Sequence, residues 1–327
     1  MGIAPYIAEA LIREHKHRPI TGDVLLLGRQ SFLFSLEHAR DMLRAEGIEP
    51  VSSVAGEHTI DQTTRAGQGQ RYVKDAVFFE LLGVRSTTAI DHSPYEGAEI
   101  IHDLNTPVPS NLENIADFIL DGSTLDNLFN PATALQSMAR MLRPDGRFVS
   151  VNMASPHLNP YTLLTPFWFA DYLALNKFDD YRIYVTLHGR RGELNVFTLN
   201  PADENSPVFP VTGLTGIVVF AEKGADTTWH KIPSQRIYAD QDTLREYGSA
   251  ANLISQNDRP ELLWSKRPMS LGFSPTRHLL EHYLMVAFIS RHFLQIDDSG
   301  KKEQAKVPAT LAFAKWLRRR IGPNLLP

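Results

Sequence analysis

The chain has no cysteine among its 327 residues, which excludes disulfides, thiolate zinc sites and cysteine nucleophiles. It also lacks any apolar run of about 18 residues, so no membrane-spanning helix is expected. Neither sign of charge dominates. With 33 Lys and Arg against 37 Asp and Glu, the net charge of −4 gives no whole-protein pull toward nucleic acid or an acidic membrane surface. No internal repeat or low-complexity tract is present, and no Gly-x-Gly-x-x-Gly fingerprint follows the first strand. The histidines form no metal signature: His15 with His17, or His278 with His282, lack an evident third ligand. The segment MGIAPYIAEALIREHKHRP lacks the apolar core of a secretory signal, and Tyr6 stands where myristoylation needs Ser or Thr. A soluble cytoplasmic protein is the expectation. No metal, nucleic-acid or membrane partner is expected, and nothing here indicates an oligomeric state.

What remains is ordinary globular material, 43% hydrophobic and 21% charged. Its organising stretch runs from Val84 to Asn152, as successive strand-loop units. VRSTTAID ends in Asp91, EIIHDL carries Asp103, and ADFILDGSTLDNL carries Asp121. Each apolar run meets a carboxylate where a parallel strand would pass into its loop. In open α/β sheets, ligands bind at those carboxyl ends, beside the switch point in strand order. Three acids converging there suit a ligand with hydroxyls, an exocyclic amine and an ammonium group.

In chain order, Ile7 to His15 has helical spacing, and GDVLLLG reads as a buried central strand with Gly28 opening its turn. A helix is predicted from Phe32 to Ala45, then an irregular insertion over Gly47–Gln70, then a helix over Tyr72–Leu82 closed by Gly83. Asn130 and Pro131 open the clearest helix, which runs to the Pro144-Asp145-Gly146 turn and a strand over Arg147–Asn152. An aromatic-rich helix is predicted from about Pro166. The strands YRIYVTLH and GIVVFAEKG then flank a proline-rich loop, most simply as an edge hairpin. Beyond Ala225 the pattern weakens into helix-like stretches. One of them carries Lys315, Arg318, Arg319 and Arg320, a solvated face more than a nucleic-acid patch.

From about Gly22 to Gly224 these residues resemble a class I S-adenosylmethionine-dependent methyltransferase. The resemblance lies in VLLLGRQ, TAID, IIHDLN, FILDGSTLDNL, MLRPDGRFVSVN and VVFAEKG. It looks closest to uncharacterised members associated with bacterial surface-polysaccharide or secondary-metabolite genes. The resemblance implies a doubly wound, Rossmann-like α/β domain with a mostly parallel seven-stranded sheet, an antiparallel edge hairpin and a helical C-terminal extension. Domain bounds on this basis are 1–21 for an N-terminal helix, 22–224 for the Rossmann domain with its insertion at about 47–70, and 225–327 for the extension. The implied activity is methyl transfer from S-adenosyl-L-methionine to an oxygen or nitrogen of a small molecule, possibly a saccharide.

Residue by residue, the resemblance gives Gly28 as the close-approach position and Asp91 as acceptor for the ribose hydroxyls. It gives Asp103 for the adenine amine, Leu104 as a main-chain donor to the ring, and Asp121 near the methionine end. Each has a plainer reading: a tight turn at Gly28, a cap at Asp91, an Asx turn at Asp103 and a helix cap at Asp121. The chain departs from the family at Arg29-Gln30-Ser31, where further glycines are usual. Arg29 and Gln30 would narrow the space, or Gln30 would itself bond to the methionine end. About sixty residues separate Gly28 from Asp91, against roughly 20 in a dinucleotide fingerprint. That spacing weakens a nicotinamide-dependent alternative. For the acceptor pocket, His157 is the candidate base and Tyr161 a candidate catalytic partner, with Asn152 and Thr165 nearby. Phe167, Trp168, Phe169 and Tyr172 read as core. The rival reading is a methyltransferase-like module that binds but does not turn over, supported only by the altered glycine loop.

Overall fold

The computed structural model describes residues 2–51, 56–188, 194–198, 214–235, 238 and 242, leaving aside the side chains of residues 157, 195, 197 and 198. The helix-like stretches beyond Ala225, including His278, His282 and the basic segment at Lys315, lie outside the described residues.

The elements run β1 (Gly2–Ile3), α1 (Pro5–His17), β2 (Asp23–Leu27), β3 (Ser31–Phe32), α2 (Leu36–Ala45), α3 (Asp75–Leu81), β4 (Ser86–Asp91) and β5 (Ile100–Ile101). Next come β6 (Ala116–Gly122), α4 (Pro131–Met141), β7 (Leu142–Met153), α5 (Pro166–Leu175), β8 (Asp180–His188), β9 (Leu194–Thr198) and β10 (Leu214–Glu222). The main sheet has the order β5-β4-β2-β6-β7-β10-β8-β9. Its first five strands are parallel, and β10, β8 and β9 follow with antiparallel pairings. This is a doubly wound, Rossmann-like α/β fold.

Alternation along the strands places apolar side chains on both faces. Leu25 and Leu27 of β2 enter the core beneath α4 and α5. Val24 and Leu26 enter the opposite core, with α1, α2 and α3. Helix starts follow side-chain chemistry: Asn130 accepts from Thr133 N at 3.4 Å ahead of Pro131, and Thr165 accepts from Trp168 N at 3.3 Å.

Several predicted elements differ from the structure. The helix expected from Phe32 begins at Leu36, because the Ser35 hydroxyl caps it by accepting from His38 N at 3.2 Å. Phe32 is instead fully buried in β3, which pairs in parallel with β1. It stacks on Phe78 with ring centroids 4.5 Å apart. The hairpin expected at the edge is present as β8 against β10, but β10 inserts next to β7. The sheet has eight described strands and not seven, because β9 adds to β8 at the outer edge. The Pro144–Gly146 turn lies inside β7, with Asp145 at φ 63° and a slipped register between Ala116 and Phe118.

The insertion after α2 is largely irregular, with one short 3-10 turn (Glu57–Thr59). It is stapled to the turn after β2. The Ser31 hydroxyl donates to Thr64 Oγ1 at 2.6 Å, and the buried Asp61 accepts from the N–H groups of Thr63 and Thr64. His15 is structural: its Nδ1 accepts from Ile20 N at 3.1 Å. No helix among the described residues is long and apolar enough to cross a membrane. None of their His, Cys, Asp and Glu side chains form a group that could hold a metal ion.

Candidate functional site

The carboxyl ends of β5, β4, β2, β6 and β7 lie along one sheet edge. The chain builds outward from β2 through β4 to β5, then returns to the other side of β2 with β6 and β7. The crevice between β2 and β6 is therefore the switch point. Gly28 sits there with φ +71° and donates to Ile90 O at 2.8 Å. A Cβ at Gly28 would lie 3.4 Å from Asp91 Oδ2 and 3.9 Å from Thr124 Oγ1. A side chain would thus be strained by the left-handed backbone and would occupy the space facing both groups.

Asp91 is held through one oxygen. Its Oδ1 accepts from Ser93 N at 3.3 Å and lies 2.7 Å from His92 Nδ1. Its Oδ2 is the oxygen turned toward Gly28. Beyond β5, Asp103 forms the Asx turn that the sequence allows, with Oδ1 accepting from the N and Nδ2 of Asn105, both at 2.9 Å. Those two bonds hold its carboxyl below the usual carboxylate value, with a smaller contribution from His102 and His92. His102 N donates to Asp91 O at 2.8 Å, tying the exits of β4 and β5 together. Leu104 is buried, and its main-chain N–H has no acceptor among the described residues.

The altered loop is ordered by its own side chains. Arg29 turns away from the switch point and pairs with Glu99. It also lies 3.6 Å from the buried Asp75. Gln30 folds back: Nε2 donates to Leu27 O at 2.9 Å and Gly28 O at 3.2 Å. Its main-chain N–H donates to Asp75 Oδ2 at 3.2 Å. Its Oε1 is buried without a hydrogen-bond partner. The amide lies directly over Gly122, where a Cβ would stand 1.9 Å from Oε1.

Asp121 takes the capping role. It is fully buried; Oδ1 accepts from Thr124 N at 2.7 Å, and Oδ2 accepts from the Ser150 hydroxyl at 2.6 Å and Asn152 Nδ2 at 2.8 Å. Both oxygens are engaged by the protein, so Asp121 organises the crevice wall instead of facing out of it. Asn152, expected near the acceptor pocket, is buried in the same network. Its Oδ1 accepts from Asp126 N at 3.0 Å.

Asp126 was not singled out from the sequence; only its place before a helix signal in TLDNL marked it. It is wholly buried and accepts from the Ser123 hydroxyl, and from Met153 N at 2.7 Å. Ser123 stands at φ 70°, a conformation that side chains other than glycine rarely adopt. Burial pushes the Asp126 carboxyl up to about 6, against the Ser123 and Met153 bonds. A raised carboxyl contributes stability that is full below its ordinary value of 3.8 and lost as pH rises through about 6. Chemical unfolding across that window should show this fall in stability, and Asp126→Asn should flatten it. An unchanged slope would mean that Asp126 does not titrate there.

Asp126 also fixes the loop after β7, because Thr162 N donates to Asp126 O at 2.8 Å and Thr162 Oγ1 to Leu128 O at 3.1 Å. On that loop Tyr161 is 67% exposed, beside Phe129 at 79%, with ring centroids 6.0 Å apart. Thr165 caps α5, and Phe169 and Tyr172 are core as expected. His157 lies on a short 3-10 turn (Pro156–Leu158), its side chain outside the described residues. The structure thus gathers Gly28, Gln30, Asp91 and Asp121 at the switch point. Asp103 and Leu104 stand beside it past β5, and Tyr161 on the loop after β7.

The class defined by this fold is the doubly wound α/β protein with its candidate site at the switch point. No family model and no curated protein matches the chain. Among solved structures it is similar to an S-adenosylmethionine-dependent methyltransferase from Thermotoga maritima, described as a possible histamine N-methyltransferase. Identity is 11%, coverage 67% of this chain and 89% of that one, and the TM-score 0.36. It is also similar to a 1,6-didemethyltoxoflavin-N1-methyltransferase from Burkholderia thailandensis, with 19% identity, 66% and 76% coverage and a TM-score of 0.28. A third is the N-methyltransferase NodS from Bradyrhizobium japonicum, with 13% identity, 67% and 88% coverage and a TM-score of 0.29.

Proposed function

We propose that the chain is a methyltransferase that uses S-adenosyl-L-methionine and methylates an oxygen or nitrogen of a small molecule. The observation that carries this reading is the approach of Gly28 to the outward oxygen of Asp91 at the switch point. The donor set fits an adenosyl group. Asp91 Oδ2 can accept from ribose hydroxyls, Asp103 from the adenine amine, and the Leu104 N–H can donate to a ring nitrogen. Bound there, the sulfonium supplies an activated methyl group for in-line displacement. The protein's part is alignment. Gly28 keeps the floor clear of a side chain, while Asp121 and Asn152 fix the strand ends that shape the wall. The network through Asp126 holds the loop carrying Tyr161 and His157 against β6 and β7.

Tyr161 is proposed to face the acceptor, and His157 to take a proton from a hydroxyl acceptor. His157→Ala should then slow turnover and leave cofactor affinity unchanged; equal rates would retire it as the base. A saccharide acceptor remains a proposal drawn from the family resemblance. The bound region is proposed to be 22–224, with 1–21 and 225–327 as appendages.

The test is thermal unfolding with S-adenosylmethionine, S-adenosylhomocysteine and NADPH, since a ligand raises stability according to its concentration over its dissociation constant. Stabilisation by the first two alone is expected, with turnover on an acceptor panel. Stabilisation without turnover would favour the non-catalytic module. Stabilisation by NADPH alone would replace this reading with an oxidoreductase.

A further inference from the structure

We propose that the Gln30 side-chain carbonyl is the acceptor for the α-ammonium group of the adenosyl ligand, making Gln30 the residue that selects ligands bearing a free amine. This rests on the methyltransferase reading above and adds to it the atom that reads the amino-acid end.

Gln30 is 98% buried, since its exposure is 2%. Its carboxamide cannot rotate freely, because Nε2 is held by the carbonyls of Leu27 and Gly28 and the main-chain N–H by Asp75. Turning the amide over would set Oε1 against those two carbonyls, acceptor against acceptor. The orientation is therefore fixed by the main chain, and Oε1 is left as the one atom of the group without a partner. A buried acceptor with no donor is costly, and native structures keep such atoms mainly where a ligand or water completes them.

Its position is equally specific. Oε1 lies over Gly122, at the end of β6 across the switch point from Gly28, where any side chain would collide with it. The missing partner must donate, which excludes a carboxylate or phosphate oxygen. Charge nearby favours a cation. Asp91 and Asp121 stand at the ends of the flanking strands. The nearest cation, Arg29, is committed to Asp75 and Glu99. An ammonium satisfies both conditions. Gln30 thus gives a physical account of the departure from a glycine-rich loop: a side-chain carbonyl, locked by main-chain carbonyls, is presented to the ligand.

The test is calorimetric titration of the full chain with S-adenosylhomocysteine and with its analogue carrying hydrogen in place of the α-amino group. The wild type should prefer the amine-bearing ligand by about tenfold or more, as for a hydrogen bond to a charged group. Gln30→Leu should abolish that preference by weakening S-adenosylhomocysteine binding, leaving the analogue within about twofold. Gly122→Ala should do the same, because its methyl group would displace the amide while Gln30 itself is retained. Equal wild-type affinities would overturn the inference, as they would if water completes Oε1. So would a Gln30→Leu variant weakened equally toward both ligands. If that variant does not fold, judged by circular dichroism, the wild-type preference and Gly122→Ala decide. Failure of the wild type to bind either ligand would remove the methyltransferase reading itself, a result distinct from the loss of amine selectivity.

Discussion

Glu14→Ala is expected to destabilise the protein by about 3–5 kcal/mol, the usual cost of removing one partner from a buried ion pair. Glu14 lies on α1 with its side chain 3% exposed. It accepts from Arg147 Nη1 of β7 at 2.5 Å and from Arg182 Nη2 of β8 at 2.6 Å. Arg147 also donates to the carbonyls of Arg18 and Pro19, and Arg182 lies over the Phe220 ring. Alanine would leave two guanidinium groups buried without their shared carboxylate, detaching α1 from the strands that carry the edge of the sheet. Burial alone would raise the Glu14 carboxyl, but attraction to Arg182 and Arg147 outweighs it and holds the group below its ordinary 4.5. Its contribution is therefore full above pH 4.5 and lost as pH falls through the lowered value. Urea unfolding of both proteins at pH 7 and at pH 3 checks this. The difference should be large at pH 7 and smaller at pH 3, and near-equal midpoints at pH 7 would contradict it.

Asp91→Ala is expected to weaken S-adenosylhomocysteine binding by roughly 1.5–3 kcal/mol, between about 10- and 150-fold, by removing hydrogen bonds to a charged acceptor. The fold should tolerate the change. Asp91 is partly exposed at a strand end, and the Ser93 and His92 groups it holds are near solvent. The main-chain bonds from Gly28 to Ile90 and from His102 to Asp91 do not depend on its carboxylate. Calorimetry combined with an unfolding curve separates the two effects. Lost affinity with unchanged stability is expected, and unchanged affinity would remove Asp91 from the site.

What could be read in the sequence follows the range of the interaction. β2, β4, β6 and α4 are dense apolar runs closed by local signals, and their ends fall where VLLLG, TAID, FILDG and the Asn130-Pro131 cap place them. β1 and β3 could not be foreseen: each has two residues and exists only by pairing with a segment about 29 positions away. Phe32 therefore read as part of a helix, although its partner Ile3 and the Phe78 ring make it a core strand residue. The edge strand β9 arises from a polar stretch that only the exposed side of β8 converts into a strand.

At the site, residue types were legible but their directions were not. Asp91 and Asp121 both end apolar strands, yet one turns an oxygen toward Gly28 and the other spends both oxygens on Ser150, Asn152 and main-chain N–H groups. Arg29 and Gln30 looked like obstructions. Arg29 is drawn off by Asp75 and Glu99, and Gln30 is folded onto Gly122, through contacts with partners 45 to 92 residues distant.

The most direct measurement is a crystal structure of the full chain with S-adenosylhomocysteine. The ribose hydroxyls should lie within hydrogen-bonding distance of Asp91, the adenine beside Asp103 and Leu104, and the thioether above Gly28. A ligand bound elsewhere, or one whose ribose makes no contact with Asp91, would contradict the account.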